Sequence, residues 1–245
     1  MKVHMCEQGT PEWLDIRAGV ATASEFNNIL TPKQGKLSEA WKGYAAHLIS
    51  ERLIGTADPW RFEGMTADMR RGVEFEPEAR DFFAFVIGED VQQVGFCVHD
   101  NGQWGASPDG LLTRRGLELK CPAPKTQIEW VYEGKLPEQH KNQCHGGMIV
   151  TGLDEWLFGS YCHGCPSLMV EVKRDDWTKR LEEALHQFNG RMAKMLAVVM
   201  EKRAETIDAR IRQRNDQTPD IDKALVPPSA QLGSLDTDPF GAPVF

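Results

Sequence analysis

Residues Ser107 to Lys120 constrain the fold more than any other stretch of the chain. Ser107-Pro108-Asp109-Gly110 leads into a short apolar run, Thr113-Arg114-Arg115-Gly116 is a polar, glycine-closed connection, and Leu117-Glu118-Leu119-Lys120 follows. Two short apolar runs around a polar turn predict a hairpin with Asp109 on one strand and Glu118 on the next. Side chains alternate across a strand, so Glu118 and Lys120 take one face and Leu117 and Leu119 the other. The leucine face needs a core to pack against, and the charged face needs a different use.

Two carboxylates brought together across a hairpin raise each other's pKa and cost stability unless a cation lies between them. A divalent metal would supply that cation. With hard oxygen donors and no soft ligand in the set, Mg2+ or Mn2+ suits the pair better than zinc. Lys120, two residues after Glu118 on the same face, could orient or deprotonate a metal-bound water or balance charge on a phosphate. Pro108-Asp109 and Glu118-Leu119-Lys120 resemble the PD-(D/E)xK nuclease pattern. The same residues on a hairpin without function would be a solvated charged face, so the remaining sequence has to decide.

At 245 residues the chain is long enough for one large domain with a substantial core. No linker-like stretch interrupts it before about residue 205, so the expected organisation is a domain over residues 1–214 and an extended or disordered tail over 215–245. No apolar leader precedes the first helix and no run of about eighteen apolar residues occurs, so a soluble, cytoplasmic protein without membrane contact is expected. The six cysteines are then expected to be reduced thiols. Cys162-His163-Gly164-Cys165, with Cys144-His145 upstream, leaves a structural zinc site open as an alternative to free thiols in a turn. A net charge of −8 argues against a surface coated for non-specific duplex binding, although a local basic groove is compatible with it.

Along the chain, Pro11 to Arg17 reads as a first helix with Trp13 and Ile16 on one face. Thr22-Ala23-Ser24-Glu25 matches a capping box, which would make the Ser24 region an anion site at a helix N-terminus, with Arg17 adding a fork for phosphate. The alternative is an ordinary capped helix beside a surface arginine. Lys33 and Lys36 lie in a loop, Ser38 to Leu53 has helical spacing, and Pro59, Trp60 and Phe62 belong to an irregular segment able to stack a base or simply pack. Met69 to Val86 is a predicted helix bearing Glu74, Glu76 and Glu78, any of which could face the hairpin's metal. A strand is expected over Val91 to His99, a helix over Glu138 to Val150 carrying His140, Gln143 and His145, and a last hairpin over Glu155 to Tyr161 and Ser167 to Lys173. Arg174 to about Arg214 reads as one long helix.

Trp13-Leu-Asp-Ile-Arg17 through Ser24-Glu25, Gly72 to Arg80, Ser107 to Gly110 and Leu117 to Pro122 together resemble four ordered motifs of the phage lambda exonuclease family. The resemblance implies an α/β fold like that of restriction endonucleases, a mixed central sheet flanked by helices, here with a long C-terminal helix. It implies that Asp109, Glu118 and the Leu119 carbonyl hold metal, that Lys120 works on the attacking water, and that Glu76 and Gln143 complete the catalytic set. Arg17, Ser24 and Ser107 match the pocket that holds a DNA 5'-phosphate. Mg2+ or Mn2+, two ions per site, would be the cofactor. The activity implied is 5'-to-3' digestion of one strand at double-stranded DNA ends, by a ring-shaped homotrimer working with a single-strand-annealing protein in a phage or prophage context. Two positions depart from the pattern: His140 stands where the family often has tyrosine, and His145 where it has a second glutamine.

Two other readings remain at this point. An endonuclease of the same fold would not need an end-recognising pocket. A non-catalytic ring that binds DNA ends would not need Asp109, Glu118 and Lys120 together.

Overall fold

The structure, a computed structural model, describes residues 1–57 and 67–217. The segment with Pro59, Trp60 and Phe62 and the tail beyond residue 217 lie outside the described residues. The chain divides into two compact units, Met1–Ala197 and Val198–Phe245. In the second, the described part is helical and exposed from Glu201 to Arg214.

The fold is mixed α/β, with the strands shared between two four-stranded sheets. The first sheet holds β1 (Lys2–His4), β2 (Ala21–Thr22), β3 (Phe96–Val98) and β4 (Trp104–Ala106) in the order β1-β3-β4-β2, with β2 and β4 parallel. The second holds β5 (Gly110–Leu111), β6 (Arg115–Lys120), β7 (Glu155–Ser160) and β8 (Leu168–Lys173) in sequence order. Here β5 and β6 form the expected hairpin, with Gly110 opposite Leu117, and β7 and β8 form the last one. Strands β6 and β7 run parallel, so the chain must cross between them, and it does so through α4 (Pro124–Glu133) and α5 (Glu138–Thr151).

Helices α1 (Pro11–Arg17), α2 (Trp41–Ile54), α3 (Ala67–Ile87) and α6 (Asp176–Gln217) follow the expected periodicities. Three expectations need correction. The Thr22–Glu25 capping box does not open an α-helix: residues Ala23–Asn28 form a six-residue 3-10 turn, and the Thr22 side chain makes no capping bond. Glu25 instead accepts from the Asn28 amide at 2.6 Å. The strand expected over 91–99 shrinks to β3, preceded by a single bridge between Gln92 and Leu111. Helix α4 went unanticipated because Pro122 and Pro124 mark the end of β6, yet Pro124 also fits the first turn of a helix, where no N–H is needed.

Both faces of β6–β7 are covered, which is why β7 is buried along Trp156–Ser160. Leu117, Leu119 and Leu157 pack on Ala79 and Phe83 of α3. Trp156 and Phe158 pack on Cys144 and Met148 of α5. A larger cluster joins Phe26, Leu48, Trp104, Ile149 and Leu185 around the first sheet. Helix α5 approaches closely because it carries Gly146 and Gly147: a Cβ there would stand 2.6 Å from the Phe26 ring and 2.5 Å from the Trp156 ring, respectively.

Candidate active site

The side-chain alternation read from the sequence holds in β6: Leu117 and Leu119 are core, and Glu118 and Lys120 point the other way, toward α5. The Glu118 side chain is 3% exposed and that of Lys120 is 29% exposed, and the two form an ion pair through Glu118 Oε1. The Gln143 amide donates to the same oxygen.

Asp109 precedes β5 and closes the hairpin from its open end. Its N–H donates to the Leu117 carbonyl at 3.1 Å, and its Oδ2 accepts from the Leu119 N–H at 2.6 Å. The carboxylate therefore takes the place of a backbone acceptor where β5 has run out, the Pro108 carbonyl being engaged by the Gln8 amide at 3.1 Å. The N–H and C=O of one residue in an extended strand point to the same side. The Leu119 carbonyl thus lies on the Asp109 side of β6, while the next carbonyl, that of Lys120, accepts from Tyr161 of the neighbouring strand at 2.9 Å.

Of the three glutamates Glu74, Glu76 and Glu78 on α3, Glu76 lies at the cluster. Arg80, one turn on, donates both to Glu76 and to the Asp109 carbonyl, the latter at 3.1 Å. Glu78 is used elsewhere, accepting from the Tyr161 hydroxyl at 2.6 Å and paired with His163 at 3.0 Å.

The electrostatics show an excess of negative charge. Burial, with the Asp109 and Glu76 carboxylates adding to it against Lys120, pushes the Glu118 carboxyl up to about 8. Burial likewise raises Asp109 above the ordinary carboxylate range, and burial together with Asp109 raises Glu76. For Lys120, burial pulls the pKa down, but Glu118 and Asp109 outweigh it and the ammonium is held above its usual value. These directions agree: three carboxylates against Lys120 and Arg80 leave one charge unbalanced, so the lysine stays protonated while the acids share a proton.

The residues fit a hard divalent cation. Added positive charge would relieve the excess, and the donors are carboxylate and carbonyl oxygens. Among the described residues no three His, Cys, Asp or Glu side chains converge as a ready-made cage. An ion here would therefore rest on Asp109, Glu118, the Leu119 carbonyl and water, as Mg2+ commonly does. The zinc alternative loses support for the same reason. His145 is buried and bonded through Nδ1 to Thr178 Oγ1 at 2.8 Å, and the thiols of Cys162 and Cys165 are free in their turn. His140 lies against the rings of Phe158 and Trp130, and burial followed by the Lys120 charge pushes its pKa down to about 3.

Arg17, Ser24 and Ser107 come to the same cavity as the acidic cluster. A cavity of about 180 Å3 is lined by these three together with Asp109, Glu118, Lys120 and Gln143. Its wall also includes Gln8, Trp13, Thr22 and Trp156, which sequence reasoning did not assign to a site. Trp13 belongs to the first of the four motifs, whereas nothing local marks Gln8 or Trp156. A second cavity of about 650 Å3, lined by Glu76, Trp130 and His140 among others, shares Asp109 and Lys120 with the first.

Residues 12–154 match the YqaJ-like viral recombinase domain. The chain belongs to that family. The alkaline exonuclease LHK-Exo of Laribacter hongkongensis matches with 30% sequence identity and a TM-score of 0.71, over 80% of this chain and 100% of that one. The same enzyme in complex with dAMP matches at 31% identity, again with a TM-score of 0.71, over 80% of this chain and 100% of that one. No curated protein sequence matches the chain. None of the described helices is long and apolar enough to cross a membrane.

Proposed function

We propose that this viral-recombinase-family chain is a metal-dependent exonuclease that digests one strand of linear double-stranded DNA from its 5'-phosphorylated end. The product would be a duplex with a 3' single-stranded overhang, suited to recombination by strand annealing. The observation that carries the reading is the shared cavity: Arg17, Ser24 and Ser107, a set suited to a phosphate, line the same space as Asp109, Glu118, Lys120 and Gln143. An endonuclease has no use for a terminal-phosphate pocket next to its cleavage site. An end-binding protein without catalysis has no use for strained, buried carboxylates.

Hydrolysis needs water delivered to phosphorus, the developing charge stabilised, and the leaving oxygen accommodated. When bound, Mg2+ or Mn2+, two ions per site, would polarise the phosphate and lower the pKa of a bound water. Asp109, Glu118 and the Leu119 carbonyl would hold the metal. Gln143 fixes the Glu118 carboxylate, and Arg80 fixes Glu76 next to Asp109. Lys120, paired with Glu118, would orient the attacking water and balance phosphate charge. Arg17, Ser24 and Ser107 would grip the 5'-phosphate and so place the adjacent bond over the carboxylates, which converts end recognition into positioning.

The reading extends to a homotrimeric ring around duplex DNA, to a single-strand-annealing partner, and to action in the cytoplasm of a bacterial host carrying a phage or prophage. The deciding experiment incubates the full chain and Mg2+ with linear duplex bearing 5'-phosphate or 5'-hydroxyl ends and with covalently closed circles. Mononucleotide release from phosphorylated linear DNA, slower release from hydroxyl ends and none from circles is expected. Equal cleavage of circles would overturn the exonuclease reading in favour of an endonuclease, and binding without release would favour the non-catalytic ring.

A further inference from the structure

Trp13 touches two of the three groups assigned to the phosphate end of the cavity. It lies four residues before Arg17, on the same face of α1, and the guanidinium carbon sits 4.0 Å from the ring centroid. Its indole N–H donates to Ser107 Oγ at 3.0 Å and to the Gly95 carbonyl at 3.1 Å, across 94 and 82 residues of sequence respectively. The indole is buried.

We infer that Trp13 is a positioning residue that makes this end of the cavity selective for a terminal phosphomonoester over a hydroxyl. The inference rests on the 5'-phosphate reading above. The indole nitrogen can only donate, so the direction of its bond to Ser107 is fixed. A serine hydroxyl has one proton and two acceptor positions. With one acceptor position filled by Trp13, the Ser107 proton is left to donate, and Ser107 lines the cavity together with Arg17 and Ser24. The indole thus takes one of the two acceptor positions and biases the hydroxyl toward donating, the polarity that a dianionic phosphate rewards more strongly than a terminal hydroxyl does.

The ring supplies the second half of the device. A guanidinium lying over an aromatic face keeps its N–H groups in a defined plane, which preserves the fork geometry that suits phosphate. Arg17 Nη2 also reaches Thr22 Oγ1 at 3.5 Å, and Thr22 lies 3.3 Å from Ser24 Oγ. Trp13 therefore links the arginine on α1 to the serine that follows β4, so the two arms of the pocket cannot drift independently. Residues from distant segments that must meet one small anion benefit from a common rigid support.

The test compares Trp13→Phe, which keeps a ring under Arg17 but removes the N–H, with Trp13→Leu, Ser107→Ala, Arg17→Ala and the double variant Trp13→Phe/Ser107→Ala. Full-chain enzyme is assayed for kcat and KM on linear duplex with 5'-phosphate and 5'-hydroxyl ends. Metal-free binding of a short 5'-phosphorylated duplex is measured by fluorescence anisotropy. Trp13→Phe is expected to lower the phosphate-over-hydroxyl preference about tenfold, the equivalent of one hydrogen bond. The double variant should be no worse than Ser107→Ala alone, because the indole acts through that hydroxyl. Trp13→Leu should approach Arg17→Ala. Equal losses on both ends, or additive losses in the double variant, would overturn the positioning role. If Arg17→Ala and Ser107→Ala leave the preference intact, the phosphate pocket itself is misassigned. If they abolish it while Trp13→Phe and Trp13→Leu do not, only the role of Trp13 fails.

Discussion

The Asp109 carboxylate accepts the Leu119 N–H at 2.6 Å, a backbone donor that the Pro108 carbonyl, engaged by the Gln8 amide at 3.1 Å, does not take. A residue assigned to catalysis is therefore also a structural acceptor, and substitutions can separate the two uses. Asp109→Asn retains an oxygen for the Leu119 amide and removes a charge from an overcharged cluster. It should abolish digestion while keeping, or slightly raising, metal-free stability. Asp109→Ala orphans the amide and should abolish digestion and also cost about 1–3 kcal/mol. Thermal unfolding of both variants alongside a nuclease assay decides the matter, and equal stability of the two would show that the hydrogen bond carries no weight.

Glu118 yields a pH prediction whose sign follows from its direction of shift. Its folded pKa is raised from 4.5 to about 8, so its contribution to metal-free stability is fully present below about 4.5 and is lost as pH rises through about 8. Near pH 7 the cluster holds a proton that a divalent cation must displace. Calorimetric titration with Mg2+ or Mn2+ at pH 7 in buffers of different ionisation enthalpy should show buffer-dependent heats amounting to about one proton released per site, and Glu118→Gln should remove most of that dependence. Heats that do not change with buffer would contradict the assignment.

The hairpin and the long helices were legible because each repeats a period of two or of about 3.6 within one segment, whereas the closing β7–β8 pair, with β7 buried on both faces and little alternation, was legible as two runs about the Cys162–Cys165 turn. What was not legible was long-range. The first sheet is made of strands two and three residues long, too short to show alternation, and parallel β2–β4 pairing joins residues some eighty positions apart. Glu74, Glu76 and Glu78 are indistinguishable by spacing, and what separates them is the packing of Ala79 and Phe83 on the leucine face, which brings Arg80 and Glu76 to Asp109. Thr22–Glu25 failed as a helix start because Thr22 is spent on other partners: its N–H bonds to the Tyr44 hydroxyl at 2.9 Å and its side chain faces Arg17 and Ser24. A cavity wall made by Trp13 and Ser107 together leaves no local signature.

His145, buried and bonded to Thr178, bears on acid stability more than on chemistry. Burial, opposed by Asp175 and assisted by Lys141, pushes its pKa from 6.5 down to about 4. The folded state therefore holds a neutral ring, and the associated stability is present above about 6.5 and lost as pH falls through about 4. His145→Gln should flatten the stability curve in that window by about 1.4 kcal/mol per pH unit, the slope of one titrating proton. Denaturant midpoints measured from pH 7 to pH 4 provide the check, and a mutant curve parallel to wild type would show that the histidine does not titrate with folding.

Gly147 sets the distance between α5 and the second sheet, and two opposing effects can be weighed there. Replacing a helix-interior glycine with alanine gains about 1 kcal/mol of helix propensity. The added Cβ, however, would stand 2.5 Å from the Trp156 ring, and Gly116 allows no retreat, since its own Cβ position lies 2.2 Å from the same ring. Overpacking a fixed ring costs about 1–3 kcal/mol, so Gly147→Ala should destabilise the protein in spite of propensity. Gln143 lies one turn earlier on the same face of α5, and its amide holds Glu118. A displacement of α5 by a few tenths of an ångström would therefore reach the carboxylate cluster. The variant should lose nuclease activity even at temperatures where circular dichroism shows it fully folded, and Gly146→Ala, which meets Phe26 at 2.6 Å, should lose stability with a smaller effect on activity. If Gly147→Ala is as stable and active as wild type, then Trp156 yields where the packing says it cannot, and the spacing of α5 does not govern the site.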